Sequence, residues 1–325
     1  MKIGIIGNGG IVQAAMSVMK SAGIEMCALW CRNMQKGKPL ADEYNCTLYT
    51  DFDAFLRDPS FDTVYIGLIN SLHYEYARKA LLAHKHCIVE KPFTTTAEEA
   101  EDLYRLSEEN EVMLFEAIMS RYSRNYESVR EHLSELGEIK LVRSTYCQYS
   151  RRYNDYLAGK ILPAFDPALS GGALYDINVY NIHFNAGLFG MPAGVQYTAN
   201  IGYNGIDTSG AALLDYGSFK AVCTGAKDCS APNGSYIQGD KGYIECPGRP
   251  GMISNVTLHL NDGTVKELDV CSEPNPMLAE FEKIREVIDQ NNRKLADQWM
   301  KSTLDVMNIL VWARKDADIV FGDDN

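Results

Sequence analysis

The sequence predicts an α/β domain with a doubly wound parallel sheet over residues 1–120. An α+β domain with a large, open, mostly antiparallel sheet is predicted over residues 121–325. Up to about residue 117, short apolar strands alternate with amphipathic helices, which is typical of parallel sheets. Later apolar segments are separated by turn sequences such as Asn233-Gly234 and Asn261-Asp262-Gly263, which favour antiparallel hairpins. The length of 325 residues suits two domains.

The first domain is expected to alternate strands and helices in a regular order. Its strands are predicted at residues 2–6, 24–30, 47–49, 62–68, 87–89 and 112–117. Its helices are predicted at residues 11–21, 39–45, 51–56, 70–83 and 97–109. Thr94 or Thr96 is expected to cap the last of these helices.

The second domain is expected to be mostly β. Its strands are predicted at residues 139–148, 195–201, 211–215, 219–224, 236–237, 243–246, 256–260 and 265–268. Helices are predicted at residues 126–136, 172–188, 277–290 and 296–317, and the last two could pack back on the first domain.

Composition and charge exclude several classes of protein. The 43 acidic and 31 basic residues give a net charge of −12, which disfavours nucleic acid because its phosphates bind basic surfaces. No apolar run approaches the ~18 residues of a membrane span, and the first residues lack the pattern of a signal peptide. Nine scattered cysteines without a C-x-x-C pair indicate reduced thiols, no metal site and a cytoplasmic location.

A glycine turn lies between the first predicted strand and the first helix. Its sequence, Gly7-Asn8-Gly9-Gly10-Ile11, matches the start of a dinucleotide-binding fingerprint. Gly7 would permit a tight turn, and Gly9 would let the backbone approach a pyrophosphate at the helix N-terminus. Val12 stands where the fingerprint has a third glycine or alanine, which allows close packing of helix on strand. The context still favours nucleotide binding over a purely structural turn.

The end of the second predicted strand bears on the choice between NAD and NADP. NAD-specific sites often carry Asp or Glu there, whereas an Arg can bind the 2′-phosphate of NADP. This strand ends Trp30-Cys31-Arg32-Asn33, without an acid. Arg32 therefore favours NADP(H) over NAD(H), and the alternative is a surface arginine at the start of the next helix.

Three further motifs follow the glycine turn. They are Asn70-Ser71-Leu72-His73, Glu90-Lys91-Pro92, and the run from Pro167 through Gly171-Gly172-Ala173-Leu174 to Asp176. With these motifs, nearly the whole chain resembles the glucose-fructose oxidoreductase / inositol dehydrogenase family. It is most similar to the branch of dimeric dihydrodiol dehydrogenases and NADP-dependent xylose dehydrogenases. Without the resemblance, Lys91 at the end of a buried strand would more readily be a solvated lysine in a turn.

The resemblance implies a dinucleotide-binding Rossmann domain over residues 1–120 and a substrate-binding and oligomerisation domain over residues 121–325. It also implies hydride transfer between NAD(P) and a hydroxyl-bearing carbon of a sugar, cyclitol or diol. It implies that Lys91, Asp176 and Tyr180 are catalytic. Asp176 and Tyr180 are four residues apart on a predicted helix and would share one face. We expect Tyr180 to accept or donate the proton, and Lys91 to orient the hydroxyl and lower the pKa of the phenol. The reversed roles are open, and Asp176 would position the substrate or Lys91.

The resemblance also implies contacts with cofactor and substrate. The expected cofactor-binding residues are Gly7, Asn8, Gly9, Gly10, Ile11, Arg32, Asn70, His73, Glu90 and Lys91. Tyr153, Asn154 and His183 are candidates for the substrate pocket, with a surface loop or a core histidine as the alternatives. A homodimer or homotetramer through the second sheet, and an unusual, often cis, Lys91–Pro92 peptide, are also expected.

Four positions depart from the family's pattern. They are Val12, Leu68-Ile69 in place of Thr-Pro, Ser170 in place of a glycine, and Asn178 in place of a glycine. Asn178 adds bulk to the helix of Asp176, which puts the usual substrate in doubt more than the reaction. Two other functions stay open: a non-catalytic, dinucleotide-responsive regulator of the same fold, and a reductase of another small carbonyl or imine compound.

Overall fold

The computed structural model describes residues 1–269 and 275–322. The chain forms two compact units: Met1–Ala117 with Met277–Leu304, and Ile118–Pro276 with the residues from Asp305 onward. The division of function between residues 1–120 and 121–325 stays a prediction. Within the described ranges, no helix has both the length and the apolar character that crossing a membrane requires.

The strands of the described residues are numbered in chain order. They are β1 Lys2–Ile6, β2 Glu25–Trp30, β3 Thr47–Tyr49, β4 Thr63–Ile66, β5 His86–Glu90, β6 Leu114–Ala117, β7 Ile139–Cys147, β8 Gly194–Ile201, β9 Asp207–Asp215, β10 Lys220–Ala226, β11 Gly234–Gly239, β12 Gly242–Pro247, β13 Thr257–Leu260 and β14 Val265–Glu267. The predicted strand bounds differ from these by at most four residues.

The α-helices are numbered in the same way. They are α1 Gly10–Ser21, α2 Met34–Tyr44, α3 Phe52–Leu56, α4 His73–Leu82, α5 Ala97–Glu109, α6 Arg124–His132, α7 Arg151–Leu157, α8 Val179–Phe189, α9 Pro276–Asp289 and α10 Arg293–Asp316. Short 3-10 turns adjoin several of them, including Asn70–Leu72 directly before α4.

The first unit contains a six-stranded sheet in the order β3-β2-β1-β4-β5-β6. All of its strand pairs are parallel, which confirms the predicted doubly wound sheet. Strands β4 and β5 are almost entirely buried, as expected for strands covered on both faces. The strand order reverses between β1 and β4, and open α/β sheets bind ligands beyond the carboxyl ends of the strands at such a point.

Two helix starts show what local sequence does and does not reveal. Helix α5 begins with a capping box: Thr96 Oγ1 accepts the backbone N–H of Glu99 at 3.2 Å, and the Glu99 side chain accepts the N–H of Thr96. This confirms one of the two predicted caps. The predicted start of α2 at residue 39 is wrong. The helix begins at Met34 because the side chain of Asn33 caps it, and Pro39 lies inside the helix.

The second unit contains an eight-stranded sheet in the order β14-β13-β12-β11-β7-β10-β9-β8. Only β7 and β10 pair in parallel among these strands, and the other pairs are antiparallel, which confirms the predicted mostly antiparallel sheet. Helix α8 covers one face, where Asn185 Nδ2 donates to Ser144 Oγ at 3.0 Å. The opposite face leaves large side chains such as Leu213 and Tyr243 exposed.

Candidate functional site

The glycine turn has the geometry of an anion-binding helix start. Gly7 is buried at φ +113°, in the left-handed region that favours glycine, and a Cβ on it would lie 2.7 Å from the carbonyl oxygen of Gly67. Gly9 and Gly10 are exposed, and no heavy atom lies within 4 Å of where a Cβ would stand on either. No side chain caps α1. Its first N–H groups are therefore available to a phosphate, with the helix dipole behind them.

Close packing behind this turn is achieved in an unexpected way. Val12 is fully buried, and its Cγ2 lies 2.6 Å from the place where a Cβ would stand on Gly67. The space that the fingerprint usually obtains from a small residue on the helix is here provided by a glycine just beyond β4. The departure at position 12 therefore leaves the helix close to the sheet.

Arg32 lies directly beyond the carboxyl end of β2 and is exposed. Asn33 is occupied as the cap of α2, since its Oδ1 accepts the N–H of Lys36 at 3.0 Å. Trp30 is buried against the ring of Tyr76, with 5.0 Å between the ring centroids. A cationic side chain thus stands at the strand end where NAD-specific sites carry an acid.

Lys91 follows β5 at the same edge of the sheet and is half-buried. The peptide that joins it to Pro92 is cis. Its neighbour Glu90 is buried and accepts a hydrogen bond from the Tyr65 hydroxyl at 2.6 Å. Burial raises the pKa of the Glu90 carboxyl, and the charge of Lys91 and the bond from Tyr65 oppose this shift. Lys91 is thus joined to a rigid, hydrogen-bonded strand end.

His73 lies in the interior, at the start of α4. Its Nδ1 is 2.9 Å from the carbonyl oxygen of Pro92, and its Nε2 is 3.2 Å from that of Leu68. Burial lowers the pKa of the imidazole. The ring therefore links the segment after β4 to the segment after Lys91. Asn70, in the 3-10 turn before α4, is half-buried at the same edge of the sheet. Cofactor contact by either residue stays a prediction.

Asp176 does not lie on an ordinary α-helix, so the predicted helix over residues 172–188 needs a correction. The chain forms a π-helical turn over Leu174–Asn178 and then continues as α8. A π turn holds more residues than an α turn. The four-residue spacing of Asp176 and Tyr180 therefore does not by itself place the two side chains on one face, as it would in an α-helix. Single π turns of this kind are frequent at functional sites.

Tyr180 is half-buried in the first turn of α8. Its ring packs edge-on against Tyr146, with 5.7 Å between the centroids. Gly251 faces the same ring, because a Cβ on it would lie 3.2 Å from Tyr180 Cε1. The ring is therefore held from two sides within the second unit.

Asn178, the unexpected residue of this segment, is accommodated by β10. Its Nδ2 donates to the carbonyl oxygen of Cys223 at 3.0 Å, and its Oδ1 accepts from Asn181 Nδ2 at 2.7 Å. A Cβ on Gly225 would lie 2.7 Å from the Cβ of Asn178. A glycine on the facing strand thus makes room for the larger residue and brings the π turn close to the sheet.

Lys227, which follows β10, joins the site although its sequence context did not predict this. Its Nζ lies 2.9 Å from Asp176 Oδ2, donates to the carbonyl oxygen of Ala164, and stands 4.3 Å from the centroid of the Phe165 ring. The residue is 1% exposed. The available signal was the charged pair Lys227-Asp228 directly after an apolar strand, but its partner lies 51 residues away in sequence.

The candidate substrate residues fall into two groups within the second unit. Tyr153 and Asn154 lie on α7, where Asn154 is exposed and its Oδ1 accepts the hydroxyl of Tyr149 at 2.7 Å. His183 is buried on α8, and its Nδ1 lies 3.3 Å from Nη2 of Arg121. In the described parts of the chain, His, Cys, Asp and Glu side chains form no group of three that could hold a metal ion.

The structure thus gathers the sequence-predicted residues in two places. Those of the first unit follow β1, β2, β4 and β5, and parallel strands place their carboxyl ends at one edge of the sheet. Those of the second unit lie on α7, on the π turn and on α8. The roles assigned to these residues stay predictions.

Comparisons with known proteins agree with the fold. The model of the oxidoreductase family with an NAD-binding Rossmann fold matches residues 1–118, and the GFO/IDH/MocA C-terminal domain matches residues 126–245. The scyllo-inositol 2-dehydrogenase (NADP(+)) IolU of Bacillus subtilis is 29% identical over 99% of this chain and 98% of its own. The trans-1,2-dihydrobenzene-1,2-diol dehydrogenase of Xenopus tropicalis is 28% identical over 81% of this chain and 78% of its own.

The crystal structure of a 3-ketoreductase from Actinomadura kijaniata, solved with NADP and TDP-benzene, has the same fold. It superposes with a TM-score of 0.85 over 99% of both chains at 20% identity. Two domain models of one family cover most of the chain, and a curated relative spans nearly all of it. The chain therefore belongs to the GFO/IDH/MocA family of NAD(P)-dependent oxidoreductases.

Proposed function

We propose that the protein transfers a hydride between NADP(H) and a hydroxyl-bearing carbon of a sugar, cyclitol or small diol. The proposal rests on the occurrence of four features in one chain. They are an uncapped glycine turn, Lys91 at a strand end, and Asp176 and Tyr180 on one helical segment. A protein that only senses a dinucleotide would not need the last three. The relatives named for inositol and diol oxidation support the substrate class.

The cofactor would be held by backbone at one end and by charge at the other. The N–H groups at Gly9, Gly10 and Ile11 suit a pyrophosphate, and Asn8 is half-buried in the same turn. Arg32 suits the 2′-phosphate of NADP, which is the basis for preferring NADP(H) over NAD(H). When bound, the nicotinamide accepts or donates the hydride. Glu90, Asn70 and His73 would hold the backbone that faces it.

Proton transfer is assigned to Tyr180. Loss of a hydride from an alcohol also requires loss of the hydroxyl proton, and a nearby group must accept it. The side chains of free Tyr and Lys both have a pKa of about 10, so neither alone is a good base at neutral pH. A lysine ammonium close to the phenol would favour the phenolate, and the two would titrate as a coupled pair. Lys91 would also orient the substrate hydroxyl, and the reversed assignment differs only in which of the two takes the proton.

Substrate recognition is assigned to the polar aromatic segment around α7 and to His183. Tyr153 packs edge-on against Tyr149 at 5.6 Å, and Asn154 presents an exposed amide beside them. Aromatic faces with amide donors suit polyhydroxylated molecules. His183 lies next to Arg121, with 3.3 Å between His183 Nδ1 and Arg121 Nη2, and would contact the substrate from its buried position on α8.

The open face of the second sheet is proposed as a homo-oligomer interface, forming a dimer or a tetramer. This face carries Leu213, which is 37% exposed, and Tyr243, which stacks on His259 with 4.6 Å between the rings. Arg143 lies over the ring of Tyr236 at 5.0 Å on the same face. Aromatic residues and arginine are enriched in the buried part of protein interfaces.

The cytoplasm is the proposed location. The eight cysteines in the described residues are free thiols, and four of them are buried. Reduced thiols of this kind suit a reducing compartment, where disulfides are rare.

A substrate screen tests the proposed function. The protein is mixed with NADP or NAD and with aldoses, inositols and diols, and the absorbance of the reduced nicotinamide is followed. Turnover with at least one polyol, lost in Lys91→Ala, is expected. Tight NADPH binding without turnover on any polyol or keto compound would favour the regulatory alternative, and turnover only on other carbonyl or imine compounds would favour the reductase alternative.

A further inference from the structure

Lys227 is a buried cation that the proposed proton-transfer scheme does not use. It is 1% exposed, and its ammonium meets three partners: Asp176 Oδ2 at 2.9 Å, the carbonyl oxygen of Ala164, and the face of Phe165 at 4.3 Å. Removing an ammonium from water is costly unless partners of this kind replace the water. These three contacts therefore hold the Lys227 side chain in this position.

We propose that Lys227 is a positioning residue that fixes the carboxylate of Asp176 toward the substrate. The inference rests on the proposed function, since it assumes that Asp176 contacts the substrate. In this arrangement Oδ2 of Asp176 is held by Lys227, and the carboxylate serves as a hydrogen-bond acceptor in a fixed orientation. Proton transfer is left to Tyr180 and Lys91.

The exposure of the two partners supports this division of roles. The Asp176 side chain is 31% exposed, whereas that of Lys227 is 2% exposed. The pair thus has one member in the interior of the second unit and one that is half-buried. A buried ion pair that served only stability would gain little over apolar side chains of the same volume. A buried lysine whose carboxylate partner reaches the surface instead holds that partner in one orientation.

The backbone of Lys227 is anchored on both sides. Its N–H donates to the carbonyl oxygen of Thr208 at 2.9 Å, and its own carbonyl oxygen accepts the N–H of Ser150 at 2.8 Å. The cation therefore starts from a rigid point at the end of β10. Because its Cα is fixed, the ammonium can fix the carboxylate that it binds.

A second buried acid holds the start of the same segment. Asp207 Oδ2 accepts the N–H of Leu174 at 2.6 Å and the hydroxyl of Tyr197 at 2.8 Å. Burial raises the pKa of Asp207, and the charge of Lys227 opposes that shift. Lys227 therefore lies within electrostatic reach of the acid that holds the first residue of the π turn, and it pairs directly with the acid in the middle of it.

The test compares Lys227→Met, Asp176→Asn and the double variant, with Lys85→Met as a matched control. Lys85 is also a buried lysine: its Nζ donates to the carbonyl oxygens of Asp58 and Phe61 and lies 4.4 Å from the Phe61 ring centroid. It differs from Lys227 because it makes no direct ion pair with a candidate catalytic acid. Steady-state kinetics and amide hydrogen exchange of Leu174–Asn178 are measured for each variant.

Lys227→Met is expected to lower kcat/KM roughly 10²-fold, since small misplacements of a positioning group have effects of that size. In the Asp176→Asn background the same change should lower kcat/KM less than about threefold, because the group that it positions is already altered. Amide exchange in Leu174–Asn178 should rise in Lys227→Met and stay unchanged in Lys85→Met. If Lys227→Met does not fold, Lys227→Arg, which keeps the positive charge but changes its geometry, is measured in the same way and should show a loss of kcat/KM that Asp176→Asn abolishes.

The inference would be overturned if the loss of kcat/KM in the double variant equalled the product of the losses in the two single variants. Unchanged amide exchange of Leu174–Asn178 in Lys227→Met would also overturn it. The exchange measurement needs no substrate, so it separates the two claims. Faster exchange in a protein that turns over no polyol would leave Lys227 as the group that holds Asp176 and refute the proposed function. Turnover of a polyol by the unaltered protein, together with unchanged exchange of Leu174–Asn178 in Lys227→Met, would support the proposed function and refute the role of Lys227.

Discussion

Val12 of α1 occupies the space that Gly67 leaves open beyond β4, with its Cγ2 2.6 Å from where a Cβ on Gly67 would stand. Position 67 adjoins the dinucleotide turn, because a Cβ on Gly7 would in turn meet the Gly67 carbonyl oxygen at 2.7 Å. The bulk of Val12 and the absence of a side chain on Gly67 therefore complement each other. Helix α1 stays in close contact with the sheet, because the small residue lies beyond β4 and not on the helix.

Gly67→Ala is accordingly expected to destabilise the first unit by about 1–3 kcal/mol, the usual result of overpacking a filled core. NADPH affinity should fall as well, since the turn beside it must shift. Val12→Ala in the same chain should recover most of the loss, because it removes the methyl groups that the new Cβ meets. Urea denaturation and cofactor titration measure both effects, and equal losses in the single and double variants would contradict the packing argument.

The pair Asn178 and Gly225 yields a parallel prediction in the second unit. Gly225→Ala would place a Cβ 2.7 Å from the Cβ of Asn178 and push the π turn off the sheet. We expect kcat/KM to fall while NADPH affinity stays within about twofold, because the change lies outside the Rossmann unit. Asn178→Gly should rescue Gly225→Ala, although glycine in a helical segment costs about 1 kcal/mol by itself. Failure of this rescue would exclude steric pressure as the cause.

Lys91→Ala and Tyr180→Phe test the proton-transfer assignment. Each should lower kcat by roughly 10²–10⁴-fold, the usual contribution of a general acid–base group. NADPH affinity should be little changed in Tyr180→Phe, because Tyr180 is not among the expected cofactor-binding residues. Tyr146→Phe is the matched control, since its ring packs against Tyr180 and the change removes only a hydroxyl. This control should stay near the wild-type rate. Near-normal turnover in Lys91→Ala or Tyr180→Phe would refute the assignment.

Arg32→Ala tests the cofactor preference. The variant should lose affinity for NADPH by at least about tenfold while affinity for NADH changes little, because only NADPH carries the 2′-phosphate. Fluorescence titration of both reduced cofactors measures the ratio. A preference for NADH in the unaltered protein that survives Arg32→Ala would contradict the prediction.

Leu213→Glu tests the proposed interface. A charge on the open face of the second sheet should shift a dimer or tetramer toward monomer at micromolar concentration, measured by light scattering after size-exclusion chromatography. Leu82→Glu is the control, since Leu82 is 47% exposed at the end of α4 in the other unit. A strictly monomeric mass for the unaltered protein would refute the proposal without any variant.

The predictions from sequence that held were those decided by local pattern. The alternation of buried strands and amphipathic helices fixed the parallel sheet of the first unit, and turn residues fixed the antiparallel sheet of the second. The capping box at Thr96 lies within four residues and is visible as a motif. The start of α2 was misplaced because Pro39 was read as a helix start, while the cap at Asn33 was overlooked.

The features that no local pattern reveals join residues far apart in sequence. The resemblance of the sequence to a known family identified Lys91, Asp176 and Tyr180 as candidates and marked Val12 and Asn178 as departures. Only the tertiary structure showed that Gly67 and Gly225 accommodate those departures, that Asp176 lies on a π turn, and that Lys227 holds it. The physical reason is that steric complementarity and ion pairing depend on distances in space, which the chain settles only when its strands and helices have packed.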